Sequence, residues 1–492
     1  MTSLLSHRMN GRARRFLVWL DSEVRLNWRV KDVLVLILVA AVAAVLIFWR
    51  LGEGSIGDYD EGAYAQISRE ILLDKDWNTL RWNGVEFFDK PPVTLWVTAL
   101  AYKTFGVNEF AARFCAGLSG VGALVLACLL GKKLTGRWSV GMGAAFILMT
   151  ASKNLHSHGY NFLSLARVGQ LDMTLVLITE AALLLAWLCQ FNPRYLIGLG
   201  GALGAAIMAK SIGGLVPAFA VAAFFVLGLP RRLWWRRELF WGFVVAMVVA
   251  VPWHLGQLLI WGRRFFDSYM VQLTVGYVTG DEGHLRDAWF YLHSIVRGFP
   301  VWYAVIAVAL LYAVYQASRW RDRVSIFLLS WVAITLLVFN VSRSRIGWYI
   351  IPMYPALAIL AADLVVRILG HRWGLALILG VVLAVTPGLP AVNDFNPHVK
   401  DVLSYSQHVL QPDDELLNFW PGSFWIRPSA GFYADRRLTF VNNRDKLDEL
   451  LRTGKGYYII ADEVYWRDIT DVGSVVYQKG GYVLARTGAQ VR

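Results

Sequence analysis

The chain has 492 residues, 57% of them hydrophobic, with 22 Trp, 20 Tyr and 26 Phe. A mean hydropathy of +0.46 excludes an ordinary soluble core and specifies a polytopic membrane protein. The formal net charge of +13 would suit nucleic acid, but the excess lies in short segments between apolar runs, which excludes that partner.

The first segment is long, polar and basic, with Arg8, Arg12, Arg14, Arg15, Arg25, Arg29 and Lys31. It has no small-residue cleavage pattern, so no signal peptide is expected. About eleven apolar runs follow, near 33–49, 109–131, 138–152, 173–190, 195–209, 212–228, 238–260, 299–317, 324–341, 347–369 and 372–391. A pair of short helices between 138 and 172 would make thirteen without changing parity. With the basic first segment inside, the positive-inside rule also places Lys132, Lys133 and Arg137, then Arg231, Arg232, Arg236 and Arg237, then Arg319, Arg321 and Arg323, and finally Arg367 and Arg372 on the inner face. Cys115, Cys128 and Cys189 all lie in apolar runs and form neither a metal spacing nor a disulfide framework.

The outer face then holds the loop 50–108, the segment 153–172 with His156, His158, Arg167 and Asp172, the loop 261–298 with Asp281, Glu282, His284 and Arg286, and the tail from about 393. The tail is nearly charge-balanced. Its short apolar runs at 438–441, 457–461, 475–477 and 482–484 predict strands, and 444–452 has helical spacing, so a small α/β domain is expected. The expected organisation is a cytoplasmic basic segment 1–32, a transmembrane domain 33–392 and an extracytoplasmic domain 393–492.

The loop 50–108 carries the most informative residues. Gly57-Asp58-Tyr59-Asp60-Glu61-Gly62 follows the first span directly, where uncompensated charge is costly. From Asp60 the pattern is amphipathic, with Ala63, Ile67, Ile71 and Leu72 on one face and Gln66, Arg69 and Glu70 on another, which predicts a helix lying in the outer interface. Asp58 or Asp60 reads equally as its N-cap. In Asp89-Lys90-Pro91-Pro92 the prolines suit a first helical turn, and Lys90 sits ahead of it as an anion binder or a snorkelling lysine. Asp172 ends a span on the outer side, with Arg167 as a candidate partner. Lys210 lies in a short outer turn. Ser342-Arg343-Ser344-Arg345, followed by Trp348-Tyr349, is basic on the side that the positive-inside rule disfavours, which points to an anionic partner. Topology thus gathers carboxylates and cations at one membrane face. That set suits chemistry on a phosphate-bearing lipid, with cations holding the phosphate as leaving group and a carboxylate accepting a proton.

The run Asp60-Glu61-Gly62-Ala63-Tyr64-Ala65-Gln66-Ile67-Ser68-Arg69-Glu70 resembles the first outer loop of the superfamily that joins bacterial lipid A aminoarabinose transferases and protein O-mannosyltransferases. The resemblance continues through Asp76-Trp77, Gly84, Phe87-Phe88-Asp89-Lys90-Pro91-Pro92, Trp96, Phe105-Gly106 and Glu109-Phe110-Ala111-Ala112-Arg113, with fainter echoes at Leu171-Asp172-Met173, Lys210 and Tyr349-Ile350-Ile351-Pro352. It implies a polytopic α-helical protein of the GT-C fold with about 11–13 transmembrane helices and a small C-terminal α/β domain. Asp60 is similar to the family's first-loop aspartate, Lys90 to its lysine on the carrier phosphate and Asp172 to the second acidic residue of the cavity. Glu61 is grouped with these carboxylates, and Lys210, Arg343, Arg345, Tyr349 and Arg286 with the carrier phosphate. The chain departs from the family where Val271–Tyr277 replaces a His-rich stretch bearing an arginine, with His284 and Arg286 as substitutes, and where Asp89 replaces a glutamate. Asp89 and His284 are the candidates for a possible divalent metal.

The implied activity is an inverting glycosyltransferase using a polyprenyl-phosphate sugar of the undecaprenyl type. Lipid A or another lipopolysaccharide part is the favoured acceptor and a protein hydroxyl the second. The implied setting is the bacterial inner membrane, among membrane lipids, with the site facing the periplasm. A lipid-linked sugar flippase would need polar groups through the full membrane depth, and an outer-tail sensor leaves the first-loop motif unexplained.

Overall fold

The computed structural model describes residues 30–150, 161–272, 275, 286–287, 289–386, 388–421 and 428–488. In chain order, α1 (Val30–Phe48) is followed by α2 (Asp60–Asp74), a two-stranded hairpin of β1 (Arg81–Trp82) and β2 (Val85–Glu86), α3 (Val93–Phe105), α4 (Glu109–Thr135), α5 (Trp138–Leu148), α6 (Phe162–Leu165), α7 (Asp172–Leu188), α8 (Tyr195–Lys210), α9 (Val216–Gly228) and α10 (Arg237–Trp261). A π-helical segment, Phe266–Gln272, precedes α11 (Phe290–Gly298), α12 (Tyr303–Trp320), α13 (Arg323–Val341), α14 (Tyr354–Leu369) and α15 (His371–Val385).

Six apolar helical stretches among the described residues are long enough to cross a bilayer: Val30–Phe48, Glu109–Thr135, Tyr195–Gly228, Arg237–Trp261, Arg323–Val341 and Gly347–Leu369. A seventh results if α11 and α12, bent by 117°, count as one span. All eleven apolar runs fall on helices, but α5 and α15 are short. Hydropathy counts apolar residues and does not sense where a helix breaks. The break within Tyr195–Gly228 is sharp: a Cβ on Gly214 would lie 2.1 Å from the Ala206 carbonyl oxygen, so only glycine lets the chain fold back there.

The bundle core draws on α1, α4, α5, α7, α9 and α12–α14, with Leu124, Val140, Val176, Phe224, Phe327 and Leu357 among its buried residues. Trp187, Phe224 and Phe327 lock three helices through ring contacts at 4.9–5.9 Å. At one end, Trp138 donates to Asp32 (2.7 Å), Ser139 meets His371 (3.0 Å) and Arg137 faces Asp363 (3.8 Å). The other end carries α2, the hairpin, α3 and the C-terminal region.

That region comprises α16 (Pro397–Val409), β3 (Glu415–Phe419), α17 (Ser429–Ala434), β4 (Thr439–Val441), α18 (Arg444–Leu451), β5 (Tyr457–Asp462), α19 (Glu463–Trp466), β6 (Gly473–Lys479) and β7 (Tyr482–Thr487). The sheet order is β4-β3-β5-β7-β6, parallel across β4, β3 and β5 and antiparallel through β7 and β6. Strand alternation sends Leu416, Tyr458, Ile460 and Leu484 to one face, where they share a core with α16 and with Ala65, Tyr102 and Ala112 of the bundle. Leu417, Ile459, Val483 and Ala485 pack the other face with Leu447 of α18. Four strands and α18 match the runs read from sequence. The interior strand β3 was not expected, because Leu416-Leu417-Asn418-Phe419 is buried on both faces and lacks alternation.

The predicted interfacial helix is corrected by this packing. Residues 61–71 of α2 are buried on both faces. Its polar side is covered by the C-terminal region and the hairpin turn: Arg69 pairs with Asp435 (2.6 Å), and Glu70 accepts from Gly84 N of the turn (2.9 Å) and faces Arg437 (3.4 Å). Burial raises the Glu70 carboxyl above its ordinary range.

This placement predicts that Lys75 and Ser474, both exposed, lie on the same side of the membrane. The three native cysteines are buried and add no background. An impermeant maleimide applied to intact cells should label Lys75→Cys and Ser474→Cys alike, either both or neither. Labelling of only one would contradict the fold.

Candidate active site

Asp172 is the first residue of α7 and Lys210 the last of α8, and the turn after α8 lets the two side chains meet. They form a direct ion pair in which Asp172 is 4% and Lys210 13% exposed. The Lys210 ammonium also sits 4.5 Å from the centroid of the Tyr349 ring. A buried pair held by geometry and a ring face orients charge without leaving either ion uncompensated. Arg167, the partner expected for Asp172, instead donates to the carbonyls of Ile47 (2.7 Å) and Trp49 (2.9 Å). There it caps the C-terminal end of α1, where a cation meets unpaired carbonyls and the negative end of the helix dipole.

Asp60 opens α2 beside this pair. Burial raises its pKa above the ordinary aspartate range, Lys90 and Lys210 oppose that, and Asp172 and Asp89 add to it. Asp60, Lys90, Lys210, Asp172 and Asp89 therefore form one electrostatic unit around a half-buried carboxylate. Neither Asp58 nor Asp60 acts as an N-cap. The cap position is Tyr59, without a side-chain bond, and Asp58 accepts from the Ser429 hydroxyl (2.6 Å).

Glu61, grouped with the catalytic carboxylates from sequence, has a different place. Its Oε1 accepts from Arg113 Nε (2.8 Å) and Gly169 N (2.9 Å), and its Oε2 from Gly57 N (2.7 Å). Arg113 donates in turn to the carbonyls of Leu51 (3.1 Å) and Ser55 (2.7 Å). A carboxylate so fully bonded, 2% exposed, braces the loop and cannot act as a base.

The arginines are dispersed. Arg343 is exposed. Arg345 is committed to backbone, donating to the carbonyls of Arg286, Asp287 (2.9 Å) and Asn340 (2.9 Å), so most of its donors are unavailable to a phosphate. The Arg286 guanidinium lies 6.0 Å from the Phe290 ring centroid. His284 lies outside the described residues. Among the described residues no three His, Cys, Asp or Glu side chains are grouped to hold a metal ion, which leaves Asp89 as a lone candidate.

Sequence reading missed one wall of the site. His254 Nδ1 lies 2.7 Å from the Ala250 carbonyl and its Nε2 2.8 Å from the Tyr269 hydroxyl. Tyr269 stacks on Phe265 at 5.0 Å, beside Trp253 and Phe88. Burial pushes its phenol up to about 12, against the pull of Lys90. Two signals were available: an ionisable residue inside an apolar span and a four-residue spacing of Phe265 and Tyr269.

Known proteins fit this geometry. The family model for dolichyl-phosphate-mannose-protein mannosyltransferases matches residues 89–255. An undecaprenyl phosphate-alpha-4-amino-4-deoxy-L-arabinose arabinosyl transferase of Pseudomonas savastanoi pv. phaseolicola is 30% identical over 353 residues, covering 68% of this chain and 62% of that one. A Pseudomonas fluorescens transferase of the same name is 28% identical, covering 68% and 58%. The chain thus spans less than two thirds of the length of these relatives. ArnT from Cupriavidus metallidurans, crystallised bound to undecaprenyl phosphate, superimposes with a TM-score of 0.74 at 19% identity, covering 92% of this chain and 98% of that one. The apo oligosaccharyltransferase of Archaeoglobus fulgidus gives 0.54 at 12% identity, covering 88% and 69%.

The chain shares its fold with the Cupriavidus ArnT, and its residues 89–255 match the mannosyltransferase family model.

The candidate site rests on the Glu61–Arg113 brace. Arg113→Ala leaves a buried carboxylate uncompensated and should cost about 3–5 kcal/mol. Thermal unfolding of the detergent-solubilised protein should show a clearly lowered midpoint, whereas Asp60→Asn should leave the midpoint unchanged. Equal midpoints for the two variants would contradict the bracing role.

Proposed function

We propose that this protein transfers a sugar from a polyprenyl-phosphate donor to an acceptor on the extracytoplasmic side of a bacterial inner membrane. The observation that carries the reading is a half-buried Asp60 that feels the charges of Lys90 and of the directly paired Lys210 and Asp172. The names of the relatives and the undecaprenyl phosphate bound to the Cupriavidus protein support this donor class. Lipid A or another lipopolysaccharide part is the proposed acceptor. In this reading 1–32 is a cytoplasmic basic segment, 33–392 the transmembrane domain and 393–492 a periplasmic domain.

Lys90 neutralises the carrier phosphate as it leaves. The bond from the anomeric carbon to the phosphate oxygen breaks, and the phosphate departs with the electron pair. The acceptor oxygen bonds to the opposite face of that carbon, with inversion. Asp60 takes the proton of an acceptor hydroxyl, or stabilises the oxocarbenium-like charge when the acceptor is itself a phosphate. The Lys210–Asp172 pair keeps the field around Asp60 fixed. Tyr349 provides a ring face to the Lys210 ammonium.

Transfer from a polyprenyl-phosphate sugar, with product mass spectrometry, tests the reading. Asp60→Asn keeps size and should abolish transfer in a well-folded protein. Wild-type rates in that variant would defeat the assignment. Lys90→Ala should weaken polyprenyl-phosphate binding about ten- to a hundredfold, the loss of a charge-assisted bond worth roughly 1.5–3 kcal/mol. Arg343→Ala should do less.

The pH dependence has a definite sign. Catalysis needs the ionised Asp60, whose pKa is raised, so the rate should fall on acidification at a pH above the ordinary aspartate value of about 3.9. Lys90 favours the ionised form, so Lys90→Ala should move this acid limb to still higher pH. A limb that moves down or stays put would exclude Asp60 as its source.

A further inference from the structure

The local tie at the start of α2 is Glu61, whose Oε2 accepts from Gly57 N (2.7 Å). The first turn of α2 has no side-chain cap, and the residue before Asp60 is Tyr59, a non-glycine at φ 66°, ψ −129° with its side chain 66% exposed. A tyrosine holds such a sparsely populated conformation only when its surroundings impose it.

The surroundings come from the C-terminal region. Asp394 accepts from the amide (2.8 Å) and hydroxyl (2.7 Å) of Ser55. Asn396 donates its amide to the Ser55 hydroxyl (2.5 Å) and its side chain to the Ile56 carbonyl (3.1 Å). The Tyr433 hydroxyl accepts from Ile56 N (2.5 Å). Ser429 donates its hydroxyl (2.6 Å) and its amide (3.4 Å) to the same oxygen of Asp58. On the far side of Tyr59, a Cβ on Gly62 would lie 2.5 Å from Ser429 N, so α17 rests directly on the first turn of α2. The strained residue is thus gripped from both sides by one serine: Asp58 is hydrogen-bonded to it and Gly62 lies under it.

We infer that the C-terminal α/β region is a positioning element for the glycosyl-transfer site, and that Asp58 and Ser429 are positioning residues that hold Tyr59 in its strained conformation and so aim the Asp60 carboxylate. This rests on the glycosyltransferase reading above. A small error in aim is costly to rate, since a misplacement of about 1 Å can lower it on the order of a hundredfold. Lys90 lies between β2 and α3, outside the segments that the Asp58–Ser429 latch joins.

The test uses the full chain with a polyprenyl-phosphate sugar, separating kcat from KM for the donor. Asp58→Ala and Ser429→Ala should each lower kcat on the order of tenfold or more with KM little changed, and the double variant should be no worse than either single one, as for two halves of one contact. Asp58→Asn keeps an oxygen that accepts from the Ser429 hydroxyl and should recover most of the lost rate. Wild-type kcat in both alanine variants would overturn the inference, as would Asp58→Asn as slow as Asp58→Ala. The acid limb of the rate profile should move in the alanine variants, which a general loss of folded protein would not cause. Hydrogen exchange supplies a readout independent of activity: Ser429→Ala should speed exchange at the amides of residues 55–61 and leave α4 protected, and unchanged exchange there would overturn the latch. Absence of transfer by the wild-type protein would instead defeat the glycosyltransferase reading, leaving the latch to be judged by exchange alone.

Discussion

The buried pair of Glu61 and Arg113 is the contact on which the rest of the site depends. It joins four pieces of chain that are far apart in sequence: the loop after α1, the first turn of α2, α4, and the turn at Gly169 that leads into α7. Both side chains are almost wholly removed from solvent, 1% and 2% exposed. Ions so placed are tolerated only when every lone pair and proton has a partner, and here the partners are backbone groups of those pieces. Hydrogen-bonding demand thereby becomes positional information. Asp60 is the residue before Glu61, so the brace fixes where its backbone sits although Asp60 takes no part in it.

The chemistry of the cluster follows from how charge is shared. Asp60, Asp89 and Asp172 bring three carboxylates, and Lys90 and Lys210 two cations, to one half-buried place. Lys210 is taken by Asp172 and by the face of Tyr349. That division sets a direct ion pair beside Asp60, whose ionised form Lys90 and Lys210 both favour. A lipid-borne phosphate suits this arrangement better than a free nucleotide. The candidate site lies at an end of the bundle, and no glycine-rich phosphate loop is present in the sequence.

The C-terminal region does more than cap the bundle. Its inner sheet face and α16 share one hydrophobic core with α2, α3 and the start of α4. Arg69, Glu70 and Arg437 then join the two parts through buried and half-buried charge. Interfaces that mix a common core with satisfied ion pairs do not slide freely, because moving them would strand polar groups in an apolar setting. The polar face of α2 therefore meets protein, although its amphipathic pattern alone suits a membrane surface equally well.

Much of this was legible in the sequence. Apolar runs marked the helices, because burial in lipid or core demands them whatever the packing. Short alternating runs marked most of the C-terminal strands. The first-loop motif and the lone lysines and aspartates at span ends marked Asp60, Lys90, Asp172 and Lys210, because charge at a membrane edge is rare without a purpose. Partnership was not legible. Whether Asp172 pairs with Arg167 or Lys210, whether Glu61 is a base or a brace, and whether Arg345 is available or bound to carbonyls depend on which backbone groups come within hydrogen-bond reach. The same holds for His254 and Tyr269, fifteen residues apart yet 2.8 Å from each other. A sequence determines which side chains are too costly to leave unsatisfied in a membrane protein. Only the tertiary structure decides which partner satisfies each one, because hydrogen bonds act over about 3 Å and the chain crosses many times that distance between them.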